Sequence, residues 1–176
     1  YLTKILDKEK KLGKTIILCH GVFDLLHIGH IKHFEEASKL ADIVVVSVTH
    51  NKFVKKGNNR PVFDTFLRVE AIESLKFVTY VVINNSSTSI DMIKCLKPSF
   101  YFKGPDYKNK KDDLTGMIYE EEKAIKSVGG KLKISKSKTF SSSNLINQFG
   151  NIFNDQQNKF LKKIRLDKKI SINKTF

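Results

Sequence analysis

Two histidines at the predicted start of a helix constrain this chain more than any other feature. They lie in GVFDLLHIGH, residues 21–30, where an apolar run from Thr15 to His20 gives way to a helical pattern from Ile28 to Leu40. We expect Gly21 to be the hinge between strand and helix. The first N–H groups of a helix lack partners and the helix dipole is positive there, so the segment predicts an anion site, such as one for a triphosphate.

The spacing of His27 and His30 supports that interpretation. They lie one helical turn apart, so both side chains can donate hydrogen bonds to the same phosphate group. Gly29 lacks a side chain and leaves room for close approach. The alternatives are a surface pair or half of a zinc site, but the glycines at both ends of the segment favour phosphate binding.

Alternation of strand and helix signals indicates the fold class. The chain has 176 residues, enough for one α/β domain with a sizeable core. Ile43 to Val48 is the continuous apolar run expected of a central parallel strand. We therefore predict a Rossmann-like, three-layer αβα fold with a parallel five-stranded sheet, forming a single domain over residues 1–150. Residues 151–176 are expected to be a basic C-terminal tail or a linker to another domain, such as a kinase, and the alternatives are a helix packed on the domain or a dimer contact.

The remaining elements follow from the same patterns. We predict further strands at Tyr80–Ile83, Phe100–Phe102 and Lys131–Ile134. A helix capped by Asp64 or Thr65 and another capped within Ser87–Ser89 should precede a helix over residues 116–127. The residues expected to face the core are Ile28, Ile31, Phe34, Ala37 and Leu40 on one helix, and Phe66, Leu67, Val69, Ile72 and Leu75 on the next.

The formal charge of +14 invites a nucleic-acid interpretation. The lysines, however, are spread over nearly every predicted helix and loop. The chain shows no helix-turn-helix or KH pattern, no RNP-like aromatic strand and no zinc-finger spacing. We therefore expect a solvated basic surface that attracts anionic substrates, and no nucleic-acid partner.

Hydropathy and cysteine content indicate the cellular compartment in which the protein works. No apolar run approaches the roughly 20 residues that a membrane span needs, so we expect a cytoplasmic protein without a membrane segment. Cys19 and Cys95 are isolated, form neither a disulfide framework nor a CxxC metal pair, and are expected to be core thiols.

Three segments together resemble a known family. GVFDLLHIGH is similar to the signature of the cytidylyltransferase-like nucleotidyltransferases. KGPDYK, residues 103–108, and SSSNLI, residues 141–146, resemble segments of the adenylyltransferase domain of bacterial ADP-heptose synthase. With Arg60-Pro61 and Arg68, the resemblance extends from the N-terminal helix to Gln148.

The resemblance implies particular site residues. His27 and His30 would contact the triphosphate and stabilise the transition state, Lys56 would reach the phosphates with Lys55 beside it, and Arg68 would contact phosphate. The remaining binding residues implied are Gly21, Val22, Phe23, Asp24, Gly29, Lys103, Gly104, Asp106, Tyr107, Ser141, Ser142 and Ser143. Arg60 is a second candidate arginine.

Several of these residues also have structural interpretations. Asp24 either binds a ligand or stabilises the turn. Ser141, Ser142 and Ser143 would cap a helix and cradle a phosphate at once. A loop lysine is usually solvated, and Arg68 has the alternative of a surface ion pair. His20 stands where the heptose enzyme usually has asparagine, a departure that leaves the acceptor open.

The implied activity is transfer of a nucleoside monophosphate from ATP or CTP to a sugar phosphate resembling heptose 1-phosphate, with Mg²⁺ on the triphosphate. The alternatives are a glycerol-phosphate or ethanolamine-phosphate cytidylyltransferase and a non-catalytic nucleotide- or nucleic-acid-binding module. HIGH at residues 27–30 and KISKS at residues 133–137 also suggest an aminoacyl-tRNA synthetase, but the chain lacks room for its other modules. The resemblance further implies a homodimer and a fused or partner sugar kinase.

Overall fold

The computed structural model describes residues 1–55, 60–107 and 117–136. Within these ranges, five parallel strands form one sheet: β1 (Ile16–Gly21), β2 (Ile43–Thr49), β3 (Tyr80–Asn84), β4 (Phe100–Lys103) and β5 (Lys131–Ile134). Their order is β3-β2-β1-β4-β5. This arrangement confirms the predicted Rossmann-like αβα fold.

Helices cover both faces of the sheet: α1 (Leu2–Lys11), α2 (Ile28–Ser38), α3 (Thr65–Glu73), α4 (Ile90–Leu96) and α5 (Ile118–Ser127). Buried side chains of α1, α4 and α5 pack with Leu18, Val45 and Tyr101 on one face. Buried side chains of α2 and α3 pack with Cys19, Val46 and Phe102 on the other. Every residue of β2 is buried, which explains its mostly apolar sequence.

The strand order places a ligand-binding crevice. After β1 the chain adds β2 and β3 on one side, whereas β4 and β5 are added on the other. Ligands of open α/β sheets bind outside the carboxyl ends of the strands where the order reverses, here at β1 and β4. Gly21 and Lys103 are the last residues of these two strands.

The predicted inner face of α3 is wrong at two positions. Phe66 and Leu67 are 72% and 52% exposed, whereas Arg68 is only 1% exposed. Helical periodicity predicts that apolar residues face inward, but a guanidinium each of whose nitrogens has an acceptor can take the inward position. Val69 and Leu75 are partly buried and Ile72 is fully buried, as predicted.

Smaller expectations also need correction. Ile28 in the first turn of α2 and Leu40 beyond its end are exposed, while Phe34 and Ala37 are buried. Cys95 is exposed, so only Cys19 is a core thiol. Ser89 is the N-cap residue of α4 as predicted, but its side chain makes no capping hydrogen bond, because its hydroxyl donates to Glu121.

The predicted tail at residues 151–176, and with it the domain boundary at 150, lies outside the described residues. No helix among the residues that the structure describes is long and apolar enough to span a membrane.

Candidate active site

A tight turn connects β1 to α2 and carries the residues of the GVFD segment. Phe23 has a positive φ of 49° and folds its ring back beneath Gly21. A Cβ added at position 21 would lie 3.0 Å from Cζ of Phe23, so any larger residue there would displace the ring. The same ring packs on Phe34 of α2, with centroids 5.1 Å apart, and so connects the turn to the core.

His27 caps α2 with its side chain. Its Nδ1 accepts a hydrogen bond from the backbone N–H of Gly29 at 3.1 Å. In the neutral ring the proton is therefore on Nε2, which remains able to donate. Burial lowers the pKa of His27 below its usual value and favours this neutral form at pH 7.

His30 lies directly against His27. The two rings are stacked, with centroids 3.8 Å apart and planes at 18°. Phe23 meets the His30 ring edge-on at 5.3 Å. The predicted pair thus exists as a stack supported by Phe23 at the start of α2, where the helix dipole is positive.

Asp24 holds the segment that leads into α3. It is 3% exposed, and its Oδ2 accepts from Nε of Arg60 at 2.6 Å. Its Oδ1 accepts from the backbone N–H groups of Val62 and Phe63 at 2.7 and 3.2 Å. Of the two interpretations open for Asp24, the structure supports a structural one, in which the carboxylate fixes residues 60–63 against the turn.

Arg68 is buried and connects separate segments of the chain through hydrogen bonds. Its Nε donates to the carbonyl oxygens of Phe63 and Asp64 at 3.0 and 3.2 Å. Nη1 donates to the Val22 carbonyl at 2.5 Å. Nη2 donates to Oδ1 of Asn51 at 2.5 Å and to Oγ1 of Thr65 at 3.3 Å. The guanidinium thereby joins the turn, the loop after β2 and α3, and its phosphate contact stays a prediction.

Lys103 ends β4 and is also buried. Its side chain is 8% exposed, and Nζ lies 3.0 Å from Oε2 of Glu121 on α5. The same ammonium lies 4.1 Å from the ring centroid of Tyr107, in the turn after β4. Two members of the predicted KGPDYK site therefore contact each other. Gly104 lies between them, and its carbonyl accepts from the Tyr107 N–H at 3.2 Å.

His20 lies one residue before the hinge, beside Ser47 of β2. Its Nδ1 is 3.1 Å from Oγ of Ser47. Burial lowers the pKa of His20 to about 4, helped by the positive charge of Lys103. His20 is therefore a neutral imidazole at the carboxyl end of the central strand.

Other predicted residues are described only in part. Lys55 is exposed in the loop after β2. Lys56, Ser141, Ser142, Ser143 and the Asp106 side chain lie outside the described part of the chain.

Sequence reasoning missed Glu36 of α2. Its Oε2 accepts from Oγ of Ser135, and its Oε1 accepts from the Lys136 N–H at 3.0 Å. Ser135 also donates its backbone N–H to the Lys103 carbonyl at 2.9 Å. One carboxylate thus joins the histidine helix to the end of β5, beside β4. A glutamate on a helix is usually solvated, so the sequence carries no local signal for this role.

The described residues include no cluster of three or more His, Cys, Asp or Glu side chains that could hold a metal ion. Asp24 is the carboxylate next to the histidine turn, but protein donors already contact both of its oxygens.

Comparison with known proteins identifies relatives over most of the chain. Residues 18–149 match the family model described as cytidylyltransferase-like. A bifunctional protein HldE of Aliarcobacter butzleri is 38% identical over 133 residues, which cover 74% of this chain and 28% of the relative. That of Campylobacter fetus is 41% identical over 122 residues, covering 68% of this chain and 26% of the relative. The chain thus spans about a quarter of these relatives.

Solved structures agree on the fold. A lipopolysaccharide core biosynthesis protein of Thermoplasma volcanium has a TM-score of 0.59 and 27% identity, covering 73% of this chain and all of that one (100%). A pantoate-beta-alanine ligase of Francisella tularensis, solved with β,γ-ATP and β-alanine, has a TM-score of 0.55 at 14% identity and covers 92% of this chain and 75% of that one. At that identity the second likeness concerns the fold alone.

Proposed function

This chain belongs to the cytidylyltransferase-like family, and from that premise we propose that it transfers a nucleoside monophosphate from ATP or CTP to a sugar phosphate. A phosphate oxygen of the acceptor attacks the α-phosphorus of the nucleotide. The bond from that phosphorus to the oxygen bridging the α- and β-phosphates breaks, and pyrophosphate leaves. The attacking phosphate is already ionised near neutral pH, so no general base is needed.

The observation that carries the proposal is the stacked pair of His27 and His30 at the start of α2. Because Nδ1 of His27 is committed to Gly29, its Nε2–H is the free donor. Such a donor, held before the reaction begins, stabilises charge that develops on the transferring phosphate. The positive end of the α2 dipole adds to that stabilisation.

Asp24, Arg68 and Tyr107 contribute by positioning the histidines and the nucleotide. Asp24 and Arg68 fix the turn and the start of α3, so the histidines need not reorganise during the reaction. Tyr107 offers an aromatic ring at the carboxyl edge of β4, where the nucleobase is proposed to stack. Mg²⁺ would be held by the phosphates of the nucleotide and would neutralise part of their charge.

The acceptor assignment rests on the relatives. Matches to HldE proteins and to a lipopolysaccharide core biosynthesis protein favour a sugar phosphate like heptose 1-phosphate. The HldE relatives are named bifunctional, which is consistent with a second activity, such as a sugar kinase, that supplies the phosphorylated sugar. The cytoplasmic location also stays a proposal.

Pyrophosphate release with Mg²⁺ tests the function. ATP and CTP are each offered with heptose 1-phosphate, glycerol 3-phosphate or ethanolamine phosphate. Release that requires one nucleotide and a sugar phosphate is the expected result, and mass spectrometry should find the matching nucleotide sugar. Release only with glycerol 3-phosphate or ethanolamine phosphate would replace the acceptor. Nucleotide binding without release from any acceptor would contradict catalysis and favour a binding module.

A further inference from the structure

A buried ion pair lies behind the proposed nucleobase site. Lys103 and Glu121 side chains are 8% and 5% exposed and lie 3.0 Å apart. Glu121 is also fixed from its other oxygen, because Oε1 accepts from the Ser89 hydroxyl at 2.8 Å and from the Ser89 N–H at 3.2 Å. The Ser89 hydroxyl in turn lies 2.8 Å from the Tyr101 hydroxyl. The carboxylate therefore has one defined position.

The stability of the fold does not by itself explain why this ion pair is buried. Removing two charges from water costs several kcal/mol per ion, and apolar replacements of similar volume are often neutral or stabilising. Both groups are nevertheless charged: the pKa of Lys103 is raised and that of Glu121 is lowered, because each charge stabilises the other against the opposing effect of burial.

The ammonium has a further contact that points outward. Nζ of Lys103 lies 4.1 Å from the Tyr107 ring centroid and 5.4 Å from that of Tyr101. A desolvated cation at this distance attracts the face of an aromatic ring. Tyr107 is half-buried and belongs to the short turn Pro105–Tyr107 that follows β4. The ion pair thus holds the ring at the ligand-binding edge.

We propose that Glu121 is a positioning residue for the nucleotide, which anchors the Lys103 ammonium against Tyr107 and so fixes that ring as the surface on which the base stacks. This inference rests on the proposed function for the identity of the ligand. Glu121 touches no substrate and acts through Lys103 and Tyr107. Its loss therefore weakens nucleotide binding and leaves the chemical step, carried by α2, unchanged.

A double-mutant cycle tests the connection. Glu121→Gln keeps the size and an acceptor for Ser89 but removes the charge, and Tyr107→Leu removes the ring. Each should raise the Kd for the nucleotide about 3- to 10-fold in calorimetric titration of the full chain, with kcat within twofold at saturating nucleotide. The double variant should bind no more weakly than the weaker single variant, since both changes break one connection.

Glu120→Gln is the matched control. Glu120 precedes Glu121 on α5 and pairs with Lys123 at 2.8 Å on the surface. This variant should bind nucleotide like the original chain. If Glu121→Gln does not fold, the combination of Lys103→Met with Glu121→Met removes both charges, and it should fold and show the same rise in Kd.

The inference would be overturned by a Kd within twofold of the original in a folded Glu121 variant, or by effects of Glu121→Gln and Tyr107→Leu that add. The proposed function fails separately. If the original chain binds nucleotide but releases no pyrophosphate, the transferase proposal is contradicted, and the double-mutant cycle can still be measured from the Kd values. If the original chain turns over normally and Glu121→Gln leaves the Kd unchanged, only the role of Glu121 is contradicted. A chain that binds no nucleotide overturns both.

Discussion

Asp24 and Arg60 form a largely buried ion pair, with Nε 2.6 Å from Oδ2, that joins the histidine turn to the segment before α3. Arg60 is 17% exposed and Asp24 is 2% exposed at the side chain. The other Asp24 oxygen accepts from two backbone N–H groups of the same segment. This pair is therefore the connection on which the local shape of the site depends.

Asp24→Ala should destabilise the fold and the site together. Removing one partner of a buried pair leaves the other charge and two N–H groups without acceptors, at a cost of about 3 kcal/mol in the free energy of unfolding. Urea unfolding measures this loss. As a control, Glu35→Ala breaks an exposed pair with Lys39 and should cost less than about 0.5 kcal/mol. Equal losses in the two variants would contradict the structural role of Asp24.

Arg68→Lys should be strongly destabilising although it keeps the charge. An ammonium cannot reach acceptors on the turn, on Asn51 and on the start of α3 at once, as the guanidinium does. We expect a loss of about 2–4 kcal/mol in the free energy of unfolding. If Arg68→Lys unfolds at the same urea concentration as the original chain but raises the KM for nucleotide, the phosphate contact implied by resemblance is its main role instead.

The variant His27→Asn distinguishes the helix-capping role of His27 from its proposed catalytic role. Asparagine caps helices well, so α2 and the stability of the fold should be maintained, but the Nε2–H donor is lost. We expect kcat for pyrophosphate release to fall about 100- to 1000-fold, as when an oxyanion donor is removed. His30→Ala should have a similar effect on kcat. Full activity in both variants would contradict the assignment of the pair.

The sequence predicts the parts of this molecule that local patterns encode. The apolar run of β2 and the strand at Lys131–Ile134 are found as expected. The turn towards the histidines comes after Gly21, which is the last residue of β1, and its positive φ is at Phe23. Arg68 and Glu121 could not be assigned in this way, because their burial depends on acceptors or cations far away in the chain. Val22 lies 46 residues from Arg68, and Ser89 lies 32 residues from Glu121. Local periodicity carries no information about such pairs.

Two partly buried histidines should make the protein sensitive to acid. Burial lowers the pKa of His20 and of His33, which stacks on Phe102 at 4.5 Å, from 6.5 to about 4. The unfolded chain therefore binds more protons than the folded chain between these values. The contribution to stability is complete above pH 6.5 and is lost as the pH falls towards 4.

Urea unfolding between pH 8 and pH 5 measures that loss. Each histidine should contribute about 1–2 kcal/mol to the decrease in the free energy of unfolding over this range. His33→Phe keeps an aromatic ring against Phe102 but cannot take up a proton, so its decrease should be smaller by that amount. Lys103, Glu36 and Glu121 carry the charges near these imidazoles. Lys103 and Glu121 do not titrate over this range in the folded chain, because the pKa of Lys103 is raised and that of Glu121 is lowered. An unchanged pH dependence in His33→Phe would mean that His33 titrates normally and is hydrated in the folded chain.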